Sequence, residues 1–287
     1  MSTGQFTVAC VQLNPGEDRL ANIERAAQGV VEAARRGAAL VVLPEYATFL
    51  HGSGGAMRRQ GLPETDDPAL PRFRQLARER GIFILIGSLA LAREDGKLAN
   101  RSFMISDKGE IIARYDKLHM FDATLPGGRV IQESAAYAPG TRAVVVDTPW
   151  ARIGMSICYD VRFPALYRAL SQAGAEVLAV PAAFTKATGT LHWKSLLQAR
   201  AIENGAYVVA AATCGDHPGG HQTFGHAMIV DPNGQVLAEA GDEPEVICAT
   251  IDLQAVETAR QRIPSLTHDR AFDVERAQLR KEQHESV

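Results

Sequence analysis

Two stretches of this sequence follow the same pattern, and that pattern restricts the fold more than any other feature. Residues 37–44 and residues 174–181 both begin with Gly-Ala, continue as a largely apolar run and end at a proline. A predicted helix precedes each run, and continuous apolar runs of this length are typical of strands that are buried on both faces. The repetition predicts two similar halves whose sheets face each other, with helices outside the sheets.

Hydrophobic periodicity predicts that the rest of the chain alternates between helices and strands. Helices are predicted at 18–36, 69–80, 164–173 and 190–204. Strands are predicted at 6–13, 39–43, 82–92, 101–106, 110–115, 143–146, 153–157, 176–180, 207–212, 224–230, 236–240 and 246–251. Loops are predicted in two long irregular segments, 50–67 and 123–140.

No linker divides the chain, although its 287 residues are long enough for two domains. We therefore expect one domain over residues 1–270. Residues 271–287 are expected to be a C-terminal extension that forms a tail or a dimer contact. The polar end of this extension, 275–287, is predicted to be a solvated helix or a loose tail.

Charge and composition indicate a small-molecule substrate rather than a nucleic acid or a membrane. The net charge is −3 and the charges are mixed along the chain, so no basic surface for nucleic acid is expected. The first residues lack a signal-peptide pattern, and no apolar run approaches the ~18 residues of a membrane span. The four cysteines lie far apart without CxxC spacing, which disfavours a disulfide framework. Together these features predict a cytoplasmic protein.

One of the cysteines, Cys158, directly follows the predicted strand 153–157. Ligands of open α/β sheets bind at the carboxyl ends of the strands, so a thiol at this position would face a substrate from a rigid support. Free cysteines are also among the most buried residue types, so a structural role in the core is the alternative. A reactive thiol further needs activating neighbours from elsewhere in the chain.

Two charged residues occupy positions from which they could activate such a thiol. Glu45 follows the predicted strand 39–43, and Lys117 follows the predicted strand 110–115. A buried glutamate can act as a base, and a nearby ammonium favours a thiolate and stabilises an oxyanion. Each residue could instead be an ordinary surface charge, and the chain also has eight histidines, the usual bases.

Three motifs, in this order, resemble those of the nitrilase superfamily of carbon–nitrogen hydrolases. They are Leu-Pro-Glu-Tyr at 43–46, Tyr-Asp-Lys-Leu-His at 115–119 and Cys-Tyr-Asp-Val-Arg-Phe-Pro at 158–164. The resemblance extends from the first strand to about residue 270. It implies an α/β fold of the nitrilase type, a four-layer αββα sandwich with two facing sheets and helices outside. It also implies a homodimer or higher homo-oligomer, often formed through the helices near the cysteine.

The resemblance also implies a role for each motif residue. Glu45 would be the general base, Lys117 the cation that stabilises the oxyanion, and Cys158 the nucleophile. The backbone N–H of Tyr159 would be the second oxyanion donor, and the reaction would pass through a thioester. Neither a metal ion nor an organic cofactor is implied.

Further motifs are similar to the Nit branch of amidases in this superfamily. They lie at 121–134, at Thr188-Gly189, at His192-Trp193 and at 198–203. Glu133 matches an additional glutamate that positions substrate or water in that branch, although it could be a surface carboxylate. Enzymes of the branch hydrolyse amides of small 2-oxo acids, and deaminated glutathione is the preferred substrate here, with release of an amine or ammonia.

Other activities remain open within the same resemblance. The chain could be an ω-amidase acting on α-ketoglutaramate, an N-carbamoyl amino acid amidohydrolase or a nitrilase. A non-enzymatic, nitrilase-like binding scaffold is the alternative from a different class. The intact triad positions argue against that scaffold.

An anionic 2-oxo acid predicts a substrate pocket that holds a second cation besides Lys117. Arg162 is a candidate for that cation, but it is also expected to pair with a carboxylate such as Asp160 and so brace the nucleophile turn. Lys186 and the pair Arg58-Arg59 are the other candidate cations. The residues predicted to line the pocket are Tyr46, Arg162, Phe184, Thr185 and Lys186.

The histidines offer two further interpretations. His119 is expected to pack beside Lys117 rather than to act as a base, and no local motif supports a cysteine protease that uses a histidine. One cluster could suggest a metal site, but its spacing fits no common zinc pattern and it lies in a predicted turn, so no metal is expected. That cluster consists of Cys214, His217, His221 and His226.

Overall fold

The structure is a computed structural model that describes residues 4–125, 128 and 130–277. Its helices are α1 (Arg19–Arg35), α2 (Gly54–Gln60), α3 (Ala69–Arg80), α4 (Glu133–Ala136), α5 (Pro164–Gln172), α6 (Lys186–Asn204) and α7 (Leu253–Arg262). Its strands are β1 (Gln5–Val11), β2 (Leu40–Val42), β3 (Phe83–Ala92), β4 (Leu98–Ile105), β5 (Ile111–Asp116), β6 (Asp122–Thr124), β7 (Val130–Gln132), β8 (Val144–Asp147), β9 (Arg152–Met155), β10 (Val177–Ala179), β11 (Tyr207–Ala210), β12 (Cys214–His217), β13 (His221–Phe224), β14 (Met228–Val230), β15 (Val236–Glu239) and β16 (Val246–Asp252).

Two six-stranded sheets form the centre of the fold. Their strand orders are β16-β1-β2-β3-β4-β5 and β15-β14-β11-β10-β9-β8. In each sheet three neighbouring strands run parallel, namely β1, β2 and β3 in the first and β9, β10 and β11 in the second. The strands of the two repeated patterns, β2 and β10, are the middle strands of these parallel sets. The predicted similarity of the two halves is thereby confirmed.

The side chains of β1 alternate between two layers of the core. Val8 and Cys10 belong to the cluster that includes Met155 of the opposite sheet. Ala9 and Val11 point the other way and pack in a second cluster with α1 and α3. The first sheet is therefore covered by a sheet on one face and by helices on the other, as its continuous apolar strands require.

Helices α5 and α6 cover the outer face of the second sheet. Tyr167 of α5 and Trp193 of α6 are fully buried in the cluster that also holds the strands of this sheet. The four layers are thus helix, sheet, sheet and helix. This arrangement confirms the predicted αββα sandwich.

The structure differs from the predicted elements where apolar periodicity is weak. The predicted loop 50–67 contains α2, which tertiary contacts hold in place, since Arg58 donates to the carbonyl of Ala135 at the end of α4. The predicted loop 123–140 contains α4 and part of the β6–β7 hairpin. Helix α6 begins at Lys186 rather than at 190. The predicted strand 224–230 is divided between the β12–β13 hairpin and β14.

Helix α7 was not predicted because only Val256 of its residues is buried, so it shows little apolar periodicity. The cap that begins this helix is local, since the Asp252 side chain accepts a hydrogen bond from the backbone N–H of Gln254.

Beyond α7, residues 271–277 are exposed and lack regular structure, and the remainder of the predicted tail lies outside the described residues. No described helix has both the length and the apolar character needed to cross a membrane.

Candidate active site

Three strand ends bring Glu45, Lys117 and Cys158 together between the two sheets. Glu45 follows β2, Lys117 follows β5 and Cys158 lies three residues beyond the end of β9. The Nζ atom of Lys117 lies 3.0 Å from Oε1 of Glu45, and Glu45, Lys117 and Cys158 line the same cavity. All three residues are buried, with exposed fractions of 1%, 2% and 7%. The alternative that Glu45 and Lys117 are ordinary surface charges is therefore excluded.

A strained turn holds the Cys158 backbone. Cys158 has a φ of 48°, in the left-handed region that non-glycine residues rarely adopt, and it begins the short 3₁₀ helix Cys158–Arg162. Its N–H donates to the carbonyl of Pro181 at 2.9 Å, just beyond β10. The N–H of Tyr159 lies in the first turn of the 3₁₀ helix, where no carbonyl of that helix can accept it. Tyr159, rather than Cys158, can thus offer a backbone donor to a bound group.

Both carboxylate oxygens of Glu45 are held in place. Oε1 accepts hydrogen bonds from Lys117 and from Nδ2 of Asn100, the latter at 2.8 Å. Oε2 accepts the N–H of Ala183 at 2.7 Å. Asn100 lies in β4, where its sequence neighbourhood resembles that of any strand residue, and it was not predicted as part of the site. The carboxylate is therefore fixed beside the thiol.

Lys117 lies between two carboxylates. In addition to Glu45, it contacts Oε1 and Oε2 of Glu133 at 3.0 and 2.9 Å. Burial alone lowers the pKa of Lys117, but the charges of Glu133 and Glu45 outweigh burial and raise the pKa well above its usual value. The side chain is therefore a buried ammonium at neutral pH.

The pKa of the Cys158 thiol is raised well above its usual value. Burial is the largest cause, the negative charge of Glu45 adds to it, and the Lys117 ammonium opposes both. The thiol is accordingly protonated at neutral pH. A nucleophilic thiolate forms only when an adjacent base accepts the proton, and Glu45 is the carboxylate whose charge acts most strongly on this thiol.

Glu133 is the first residue of α4 and closes the site from the β6–β7 side. Its Oε2 accepts a hydrogen bond from the backbone N–H of Phe121 at 2.6 Å, and its Oε1 accepts one from the hydroxyl of Tyr46 at 3.2 Å. The Tyr46 hydroxyl also accepts a hydrogen bond from Asn100 at 2.9 Å. Glu133 is therefore part of the buried network and not a surface carboxylate.

Asp160 joins the cysteine turn to the segment that carries Lys117. Its oxygens accept the hydroxyl of Tyr115 at 2.6 Å and the backbone N–H groups of Ile157 and His119 at 2.9 and 3.1 Å. The His119 ring also contacts Asp160, at 2.7 Å, and stacks on Phe163. His119 thus packs against the cysteine turn as part of the Asp160 network, rather than simply beside Lys117.

The predicted pair between Arg162 and Asp160 is wrong. Asp160 is fully buried and its acceptors are already occupied, whereas the Arg162 guanidinium points away from it. That guanidinium lies over the ring of Phe184, 5.0 Å from its centroid, and contacts Nδ1 of His192 at 3.3 Å. Among the residues that the structure describes, no carboxylate pairs with Arg162.

Cys158 lies where two cavities meet. The larger cavity has a volume of about 140 Å³ and contains Glu45, Lys117 and Glu133 in its lining, together with Tyr46. The smaller one, of about 20 Å³, is a narrow cleft. Its lining consists of Phe121, Cys158, Tyr159, Arg162, Ala183, Phe184, Thr185 and Thr188.

Some of the predicted residues lie away from these cavities. Lys186 is exposed at the start of α6 and lines neither of them, and the same holds for the Arg58-Arg59 pair. In the cluster of Cys214, His217, His221 and His226, the buried His217 ring forms hydrogen bonds with the Pro15 carbonyl and the Thr223 hydroxyl. Within the described ranges, no group of three or more histidine, cysteine or acidic side chains is placed to hold a metal ion.

A protonated thiol in one cavity with a carboxylate base can attack a carbonyl or nitrile carbon, and a neighbouring ammonium and backbone N–H can stabilise the resulting anion. On an αββα sandwich, this is the set of groups that a thiol-dependent hydrolase requires. The family model described as carbon-nitrogen hydrolase matches residues 7–261. The chain belongs to this family, within the nitrilase superfamily, and is a hydrolase of carbon–nitrogen bonds other than peptide bonds.

Individual relatives agree with this assignment. A deaminated glutathione amidase from Yersinia enterocolitica is 40% identical over 270 residues, 92% of this chain and 92% of that protein. The NitFhit protein of C. elegans has a TM-score of 0.88 and 38% identity, and the match covers 94% of this chain but only 66% of that longer chain. Nit3 of Saccharomyces cerevisiae, a member of branch 10 of the nitrilase superfamily, has a TM-score of 0.84 and 31% identity over 93% of this chain and 97% of its own. The predicted family and fold are confirmed.

Proposed function

We propose that this chain is a cysteine-dependent amidase that hydrolyses the amide bond of a small 2-oxo acid amide, deaminated glutathione. The observation that carries this proposal is the buried Glu45–Lys117 pair in one cavity with Cys158, next to a cleft that contains Arg162. The similarity to the deaminated glutathione amidase of Yersinia enterocolitica supports the choice of substrate.

In the first half of the reaction, Glu45 accepts the thiol proton while Sγ of Cys158 attacks the amide carbon. Because the pKa of Cys158 is raised, removal of the proton accompanies the attack rather than preceding it. The carbon–nitrogen bond then breaks, Glu45 gives the proton to the leaving nitrogen, and the amine departs. The acyl group remains on Cys158 as a thioester.

Negative charge develops on the carbonyl oxygen during this attack. The Lys117 ammonium and the Tyr159 N–H are the donors that stabilise it, and both are fixed before the substrate arrives. Glu133 holds Lys117 from the opposite side and is buried with it. It therefore positions Lys117 and the groups that bind beside it.

In the second half, water replaces the amine. Glu45 accepts a proton from the water, whose oxygen attacks the thioester carbon, and the same two donors stabilise the second oxyanion. The carbon–sulfur bond breaks, the proton returns to Cys158, and the 2-oxo acid leaves. Each turnover consumes one water and restores all three side chains.

Arg162 is the proposed contact for the carboxylate of the acyl group. It lies in the cleft beside Cys158 with Phe184 and Thr185, and no described carboxylate competes for it. A guanidinium is well suited to a planar carboxylate. The same contact would serve α-ketoglutaramate, which has the same acyl group, so this ω-amidase substrate is the second candidate.

The protein is further proposed to be a cytoplasmic homodimer. All four cysteines are free thiols, which suits a reducing compartment. Leu191 and Ile202 on α6 have exposed fractions of 69% and 58%, and apolar side chains on the helix next to the cysteine turn suit a contact with a second copy. Sedimentation velocity of the purified protein tests the dimer, and a monomer at micromolar concentration would contradict it.

The activity is tested by measuring amine release from deaminated glutathione and ammonia release from α-ketoglutaramate. Cys158→Ala should abolish both reactions, whereas Cys248→Ala, a substitution of a cysteine on β16 remote from the site, should leave them unchanged. Arg162→Met should raise KM about 10- to 100-fold, the loss of binding affinity expected when a charge-assisted hydrogen bond is removed. Arg142→Met, at an exposed arginine, should leave KM unchanged. Failure of the intact protein to hydrolyse either amide would refute the proposal.

A further inference from the structure

The two oxygens of the Glu45 carboxylate are not equally occupied. An ionised carboxylate oxygen can accept about two hydrogen bonds. Oε1 receives two donors, Nζ of Lys117 at 3.0 Å and Nδ2 of Asn100 at 2.8 Å. Among the described residues, Oε2 receives one backbone or amide donor, the N–H of Ala183 at 2.7 Å. The acceptor position that stays open is therefore on Oε2.

The two oxygens also face different sheets. The donors to Oε1 come from the first sheet, Asn100 within β4 and Lys117 directly after β5. The donor to Oε2 lies in the segment beyond β10 of the second sheet. In that segment the Pro181 carbonyl accepts the N–H of Cys158 at 2.9 Å, two residues before Ala183. Oε2 is thus held by the segment that also holds the nucleophile.

Asn100 lies where the groups around the base converge. It is buried, and its backbone carbonyl accepts the N–H of Lys117 at 3.0 Å. Its Nδ2 contacts Oε1 of Glu133 at 3.2 Å and the Tyr46 hydroxyl at 2.9 Å, in addition to Glu45. One residue therefore connects the base, the second glutamate and the backbone that carries the ammonium.

The orientation of the Asn100 amide leaves its oxygen without a hydrogen bond. Oδ1 is buried and has no hydrogen-bond partner in the described part of the chain. Such an acceptor is unfavourable, and most buried polar groups in proteins are paired. The opposite orientation would place Oδ1 against Glu45 and Glu133, whose ionised carboxylates only accept hydrogen bonds. The two carboxylates therefore require the donor end of the amide.

We propose that Asn100 is a positioning residue that, together with Lys117, occupies Oε1 of Glu45 and so directs the catalytic proton to Oε2. The inference rests on the proposed amidase function and names the atom that acts as the base. The proton leaves Sγ of Cys158 for Oε2 while the sulfur–carbon bond forms. It passes from Oε2 to the leaving nitrogen while the carbon–nitrogen bond breaks. Oε1 keeps both donors, so the ammonium stays in place throughout.

Two substitutions of similar size distinguish a hydrogen-bond donor from a side chain that only fills space. Asn100→Asp keeps the shape of the side chain but places a third carboxylate beside Glu45 and Glu133. Asn100→Leu has neither a donor nor a charge. If Asn100 only fills space, Asn100→Asp should be the milder change. If Asn100 acts as a donor to the base, Asn100→Asp should be the more severe change at pH 8.

Hydrolysis of deaminated glutathione gives the first measurement. Asn100→Leu should lower kcat about 10- to 100-fold, the loss expected for one hydrogen bond to a charged group. Asn100→Asp should lower kcat further at pH 8. KM should change little in both variants, because Asn100 lines neither cavity beside Cys158. Asn233→Asp, at an exposed position between β14 and β15, is the control and should leave kcat unchanged.

The kcat deficit of Asn100→Asp should shrink when the pH is lowered from 8 to 6. Three adjacent carboxylates beside the single Lys117 ammonium cannot all stay charged, and the folded variant holds an added proton more readily at lower pH. A protonated carboxyl group can donate a hydrogen bond as the amide does. A side chain that only fills space would produce no such recovery.

Alkylation of Cys158 by iodoacetamide gives a second measurement that does not depend on the substrate. Alkylation requires the thiolate, so its rate reports removal of the thiol proton. The rate at Cys158, followed by peptide mass spectrometry at pH 8, should decrease from the unmodified protein to Asn100→Leu and again to Asn100→Asp. If Asn100→Leu does not fold, Asn100→Ser and Asn100→Ala replace it. Asn100→Ser supplies a hydroxyl donor and should retain more of both rates than Asn100→Ala.

The outcomes separate this inference from the proposed function. Asn100→Asp rates at pH 8 equal to or above those of Asn100→Leu, or an unchanged deficit at pH 6, would overturn the inference and leave the amidase function in place. If the unmodified protein hydrolyses neither deaminated glutathione nor α-ketoglutaramate, the proposed function fails. The alkylation rates then decide the inference alone: the expected order supports it, and equal rates overturn it.

Discussion

Replacement of Lys117 by methionine tests whether the buried ammonium holds the site together. Methionine has a similar length but no charge, so Glu45 and Glu133 would remain buried without the cation that both contact. Removing one member of a buried ion pair costs about 3–5 kcal/mol. Since a domain is stable by about 5–15 kcal/mol, this substitution should remove a large part of the free energy of unfolding.

The loss should depend on pH in a definite direction. Two adjacent buried carboxylates without a cation cannot both stay charged, so the folded variant retains a proton that the unfolded chain releases at neutral pH. Lowering the pH then favours the folded variant, by about 1.4 kcal/mol per pH unit for one proton. The variant should therefore be closer in stability to the natural protein at pH 5.5 than at pH 8.

Urea unfolding at these two pH values, followed by tryptophan fluorescence, measures the effect. Lys108→Met is the control, because Lys108 is exposed in the turn between β4 and β5. Hydrolysis of deaminated glutathione by Lys117→Met should fall by about 10²–10³ in kcat, the usual cost of losing an oxyanion donor. A Lys117→Met protein as stable as the control, or one whose deficit is the same at both pH values, would refute this reasoning.

Two further substitutions test the framework around the site. Asp160→Asn should destabilise the protein by about 2–4 kcal/mol, because an amide cannot accept all the hydrogen bonds that the buried carboxylate receives. The control is the exposed Asp147→Asn, which should lower the free energy of unfolding by only about 0–1 kcal/mol. Gly87→Ala should lower the yield of folded protein, since its Cβ would lie 2.1 Å from the backbone oxygen of Leu43, just beyond β2. Gly16→Ala should not lower the yield, because a Cβ at Gly16 meets no atom within 4 Å. Urea unfolding and expression yield measure these effects, and equal behaviour within either pair would contradict them.

Much of the fold could be predicted because strand ends and buried strands are local properties of the sequence. The two apolar runs that end at Pro44 and Pro181 became the middle strands of the two parallel sets. Glu45 and Cys158 could be placed at strand ends because an apolar run stops just before each of them. Their meeting with Lys117 was inferred through family resemblance, because no local pattern states which strand ends adjoin.

Segments with little apolar periodicity were predicted less well. Helix α2 depends on contacts with α4, and α7 buries little of its surface, so neither has a clear stripe of apolar residues. The proposed Arg162–Asp160 pair failed for a related reason. Opposite charges close in sequence suggested a contact, but the burial of Asp160 beneath the turn directs the two side chains to different sides.

The amino-acid sequence sets the residue types and the strand ends, and together with the family resemblance these identify the three groups of a thiol hydrolase. Long-range packing sets which atoms meet. Asn100 contacts Glu45 across 55 positions, and the N–H of Ala183 reaches the same carboxylate across 138. The Ala183 contact depends on the way the two sheets stack, whereas the Asn100 contact depends on the strand order within the first sheet. The division of the site into a cleft that contains Arg162 and a larger cavity likewise follows from packing rather than from any local motif.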